Sequence, residues 1–85
     1  MLERYVNELK WENKLNLYNF EDMKYIFKRL WKKINSNFMI KTEQKDKLYK
    51  EVCMNLIKVY YTEVEDIIHM YGEMYKIRIH IQNKP

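Results

Sequence analysis

Between Phe20 and Ile34, apolar side chains recur every three or four residues: Phe20, Met23, Ile26, Phe27, Leu30, Trp31 and Ile34. On a helix turning about 100° per residue they gather on one side. Lys24, Lys28, Arg29, Lys32 and Lys33 occupy most of the other side, with Tyr25 among them. The spacing predicts a helix over 20–35. Asn19 stands where an N-cap belongs, and Asp22 three residues later approximates a capping box. Glu21 and Asp22 near the start and the bases after them complement the helix dipole. Upstream, Leu2, Tyr5, Val6 and Leu9 follow the i, i+3, i+4, i+7 spacing and predict a shorter helix over 2–12. Asn13-Lys14 reads as a break, and Leu15–Tyr18 is too brief to separate a short strand from a linker.

The most apolar stretch runs from Leu48 to Tyr71, with no Gly or Pro until Gly72. Thr42 is its expected N-cap, and the pattern predicts one continuous helix over 42–71, closed by Gly72 in the left-handed C-terminal position. Its apolar residues sweep more than half the circumference, whereas a surface helix shows a stripe somewhat wider than about 100°. Such a helix is expected to be the central rod of the fold or an oligomer seam. Asn35-Ser36-Asn37 predicts the loop before it, and Phe38-Met39-Ile40 is an apolar run that either caps the core or supplies a few strand residues. Beyond Gly72 the period changes. Tyr75, Ile77, Ile79 and Ile81 alternate with Lys76, Arg78, His80 and Gln82, the period-two pattern of a half-buried strand. A lone strand needs a neighbour: residues 14–18, residues 38–41, the same strand of a second copy, or a partner's strand. Asn83-Lys84-Pro85 reads as a frayed tail. The expected fold is therefore α+β and predominantly helical. Three helices, with the long third one central, precede a short C-terminal strand in a single domain, 1–85.

Composition adjusts this picture at a few points. Eighty-five residues lie near the lower limit for a self-sufficient core, so association is a natural supplement. With 47% hydrophobic residues, disorder is excluded as the default. A net charge of +4 favours acidic partners only mildly. Alanine is absent and Gly, Pro, Ser and Cys occur once each, while Lys, Asn, Ile and Tyr are abundant. Those abundant types have A- and T-rich codons, which suggests a low-GC bacterium or one of its phages, plasmids or viruses. The single Cys excludes an internal disulfide framework and points to a reducing compartment. Met1–Tyr5 lacks the apolar core of a secretory leader, and no 18-residue apolar run occurs. A soluble cytoplasmic protein without membrane contact is the resulting expectation.

Catalytic chemistry finds little to work with. Ser36 lacks the glycine neighbours of a nucleophile elbow. Cys53 lies among Val52, Met54, Leu56 and Ile57, where a small core residue fits better than a reactive thiol. His69 and His80 fall on different expected elements with no metal-ligand spacing, and a phosphate-cradling loop needs more than one glycine. No enzyme, metal or cofactor is expected.

Two binding surfaces stand out instead. Eight tyrosines, each with an apolar body and a polar tip, suit a surface that exchanges solvent for a partner. Tyr60 and Tyr61 point about 100° apart on a helix and are hard to bury together. Glu63 falls by helical phase inside the apolar arc, so it is expected to be exposed, paired or in an interface. With the strand residues Ile77, Ile79 and Ile81 these form the expected protein interface. The leading expectation is a non-catalytic interaction module, encoded by a phage or mobile element, that inhibits or regulates a host protein complex, with a homodimer through the strand or long helix as a further contact. The alternative is a small basic nucleic-acid-binding regulator. It would use Lys24, Lys28, Arg29, Lys32 and Lys33 on phosphates and Tyr25 for stacking, although the same charges suit any solvated helix face.

Overall fold

The computed structural model describes residues 2–82, with side chains through residue 80. Four helices follow one another: α1 (Leu2–Asn13), α2 (Phe20–Ser36), α3 (Thr42–Tyr60) and α4 (Val64–Gln82). No strand occurs among the described residues. The expected α+β fold is thereby corrected to an all-helical bundle. The tail residues 83–85 lie outside the described residues.

α1 ends as its sequence implies. Lys14 takes a left-handed φ of 53°, and the Leu15 N–H donates to the Lys10 carbonyl at 2.9 Å. That six-to-one bond closes a Schellman-type end, built on Lys rather than the usual Gly. Leu15–Tyr18 becomes a linker of turns. α2 starts at Asn19, whose Oδ1 accepts the N–H groups of Glu21 and Asp22. Asp22 departs from the capping-box expectation, because its carboxylate accepts the Asn16 N–H at 2.9 Å instead. The acid thereby pins the linker to the first turn of α2.

α2 is the hub. It packs against each of the other three helices, and Met23, Ile26, Phe27, Leu30, Trp31 and Ile34 are all essentially buried. The central role expected for the third helix therefore belongs to α2. Its stripe falls entirely within one face, so one contiguous core can form over it from Val6, Leu17, Tyr49, Cys53, Ile57, Tyr61, Met70, Met74 and Ile77.

The loop after α2 differs in detail from its sequence reading. The helix continues through Ser36, and Asn37 is its C-cap. Phe38 and Met39 form an exposed turn, with Phe38 90% exposed, while Ile40 packs at the core edge. Lys41, not Thr42, occupies the N-cap of α3, and it makes no side-chain capping bond.

The largest correction concerns the helix expected over 42–71. It ends at Tyr60, and Tyr61 turns to extended backbone (φ −125°, ψ 127°). Val59-Tyr60-Tyr61-Thr62 is a run of β-branched and aromatic residues, none a strong helix former. Extending Tyr61 also swings its ring into the core, where its hydroxyl donates to the Leu17 carbonyl at 3.0 Å. α4 then restarts with Glu65 and Asp66 in its first turn, the end that the dipole favours. Gly72 sits in mid-helix with no positive φ, so it terminates nothing. The strand expected over 75–81 is the last two turns of α4.

That strand fails for a tertiary reason. In α4, residues at intervals of three and four, Ile67, Met70, Met74 and Ile77, meet the core. The helix is further fastened to α3 by Tyr49, whose hydroxyl donates to the Met74 carbonyl at 3.2 Å, and by an ion pair between Arg78 and Asp46. The alternating pattern was real, but helical contacts over two preceding turns outweigh it.

Candidate protein-binding surface

The residues expected to form an interface are dispersed by the break at Tyr61. Tyr61 and Ile77 are buried in the core. Tyr60 is half-buried, with Tyr18 standing edge-on to it at 5.1 Å between centroids. Glu63 is exposed at the start of α4, where its carbonyl accepts the Ile67 N–H at 3.0 Å. Ile79 is exposed, and the side chain of Ile81 lies outside the described residues.

Around the break, aromatic rings interlock. Phe20 lies 5.2 Å from Tyr61 and 5.1 Å from His69, close enough to fix the angle at which α4 leaves α3. Burial pushes the Tyr61 phenol up to about 12, with the carboxylates of Asp66 and Asp22 acting in the same direction. The ring is thus held neutral and hydrogen-bonded.

Beside this cluster a groove opens between α1 and α3. α1 packs on α2 and leaves the angle between itself and α3 unfilled. The groove has a volume of about 270 Å³ and is lined by Glu3, Val6 and Asn7 of α1, Leu17 of the linker, and Val52, Asn55, Leu56, Val59 and Tyr60 of α3. Val52 and Leu56 are half-buried in its floor, whereas Val59 is 69% exposed at one end. Glu3, Asn7 and Asn55 give it a polar rim. Sites for small molecules usually enclose about 300–1,000 Å³. This groove is smaller and open, a size that admits one or two apolar side chains projected by another protein.

Val52, Leu56 and Val59 carry a helical spacing visible in the sequence, yet nothing there separates a groove from a buried face. α1 would have had to be placed first.

The basic face of α2 divides into engaged and unengaged charges. Lys24 bonds Glu21 at 2.8 Å, which raises its pKa, and Lys33 lies 4.3 Å over the Tyr5 ring. Lys28, Arg29 and Lys32 are exposed and form no ion pair among the described residues. Tyr25 stands partly exposed near them, while Trp31 is buried against Tyr49 at 4.9 Å.

Chemically reactive groups are few. Cys53 is completely buried, and burial pushes its thiol well above the ordinary range. His69 and His80 are exposed and far apart in the chain, and no cluster of three metal-ligating side chains occurs among the described residues. Among the described residues, no helix is long and apolar enough to cross a membrane. No family model, curated protein or solved structure matches the chain.

Proposed function

We propose that this chain is a non-catalytic protein-interaction module that seats apolar side chains of a partner in the groove between α1 and α3. The carrying observation is the combination of a semi-open apolar floor (Val52, Leu56) with exposed Val59, a lining Tyr60 that Tyr18 meets edge-on, and a polar rim. Interfaces concentrate affinity in small desolvated pockets flanked by aromatic rings, and an amphipathic partner helix is the simplest occupant of such a groove. The small size and the AT-rich coding suggested by the composition favour a phage- or mobile-element-encoded inhibitor or regulator of a host protein complex. A second copy of the chain is another protein partner, through a different face.

Val59→Glu tests this reading, because the side chain is already exposed and the fold should survive, as circular dichroism would verify. Capture of the partner from a host lysate is expected to fall about tenfold or more, as for loss of a central contact. Tyr60→Ala should act in the same direction. Undiminished capture by both variants would remove the groove from consideration.

The second reading, nucleic-acid binding, is favoured by the uncompensated row Lys28, Arg29 and Lys32 beside Tyr25. Neutralising all three is expected to lower the slope of log K against log salt by about 2.7 on duplex DNA. An unchanged slope, or no binding at low salt, would sink it.

A further inference from the structure

The period-two pattern that suggested a strand has a different consequence on a helix. Successive alternate residues turn by about 200°, so apolar side chains land on two faces. One face of α4 meets the core. The other carries Val64, Ile68, Tyr75 and Ile79, which fall within about 60° of one another. Val64 is 69% exposed and Ile68 64%, and Tyr75 and Ile79 are also exposed. Arg78, held to Asp46 of α3 and lying 4.9 Å over the Tyr75 ring, fixes the rotation of α4 that turns this stripe outward.

We infer that the stripe is the seam of a homodimer in which two α4 helices pair antiparallel about a twofold axis near the Tyr71–Gly72 peptide. The pattern is self-complementary about that point. Val64 and Ile79 lie equally far from it on either side, as do Ile68 and Tyr75. A twofold axis there sets Val64 against the partner's Ile79, and Ile68 against the partner's Tyr75, the isologous arrangement of closed dimers.

Charge continues the match. Glu65 and Lys76 flank the stripe on the same side, and antiparallel pairing brings Glu65 near the partner's Lys76, twice by symmetry. Glu65 forms no ion pair among the described residues, and the only one of Lys76 is a long 3.5 Å contact to Glu73. Gly72 supplies an independent observation. It is exposed in mid-helix, has open space where a Cβ would lie, and no left-handed φ. Nothing among the described residues calls for glycine there, whereas a helix crossing at that position lets two backbones approach closely.

The seam spans about 23 Å of helix, from Val64 to Ile79. Two such helices side by side bury on the order of 1,000 Å² in total, at the lower edge of specific interfaces. The dimer is therefore a reversible one, with a dissociation constant in the micromolar range. None of the groove-lining residues belongs to α4, so the dimer stands or falls separately from the groove.

Sedimentation equilibrium of the full chain from about 1 to 500 μM, on the micromolar scale set above, tests the inference. Wild type is expected to shift from monomer to dimer across this range. Ile68→Glu, at an exposed position, should leave the circular dichroism unchanged and raise the dissociation constant about tenfold or more. Glu65→Lys and Lys76→Glu should each weaken association, and the double exchange should restore it. A wild-type chain that stays monomeric throughout would overturn the proposal and leave the stripe to a different protein. So would a dimer that Ile68→Glu leaves intact, or charge exchanges that fail to rescue one another.

Discussion

α2 and α4 are both long helices, yet they spend their apolar side chains differently. α2 has one apolar face and buries all of it except Phe20 at its start, which is half-buried, setting Lys28, Arg29, Lys32 and Lys33 opposite. α4 has apolar residues on two faces, buries Met70, Met74 and Ile77, and leaves Val64, Ile68, Tyr75 and Ile79 outside. α2 thus completes the fold, while α4 completes it and retains a surface. Where both faces of a helix are apolar, a small bundle has too few elements to cover both. An exposed apolar stripe results.

The first way to break this contrast is at the hub. Trp31→Ala should destabilise the chain by about 3–5 kcal/mol in urea or thermal unfolding, since the ring is buried against Tyr49. Trp31→Phe should cost far less. The indole Nε1 is buried without a hydrogen-bond partner among the described residues, so its removal recovers part of the lost packing. A Phe variant as unstable as the Ala variant would mean the indole nitrogen is satisfied after all.

Next comes the turn that decides which face of α4 goes inward. Tyr61→Phe removes the bond to Leu17 and should cost about 1 kcal/mol. It should also change the alkaline limb of stability. Tyr61 has a folded pKa of about 12 against the ordinary phenol value of 10.0, so the native state holds its proton more tightly. That contribution is complete below pH 10 and is lost as pH rises towards 12. Tyr49, raised by its burial, acts with the same sign, so the variant should flatten the alkaline decline without abolishing it. Unfolding midpoints measured from pH 8 upward would read the difference.

Two smaller effects sharpen the picture of α4. Gly72→Ala should stabilise the monomer by roughly 0.5–1 kcal/mol, because a Cβ meets nothing there and glycine is costly in a helix interior. The same change at the proposed crossing point should weaken dimerisation, so stability and association should move in opposite directions. Ile68→Ala should alter monomer stability by no more than about 0.5 kcal/mol, as expected for an exposed side chain. A cost near that of Trp31→Ala would mean that Ile68 belongs to the core.

The sequence by itself determined α1 and α2. Their apolar residues repeat at helical spacing with polar flanks, and the Asn19 cap and the Asn13-Lys14 stop are local devices. It also marked the apolar richness of 42–71 and the basic row on α2. Tertiary structure decided the rest. Whether the chain stays helical past Tyr60 depends on a hydroxyl reaching Leu17, a carbonyl 44 positions away. Whether 75–81 is strand or helix depends on Met74 and Ile77 meeting a core supplied by α2 and α3, which periodicity cannot weigh. The groove exists only once α1 is seated on α2 beside α3. The local pattern sets which faces are apolar, but the number of elements available to cover them settles which become core and which stay exposed.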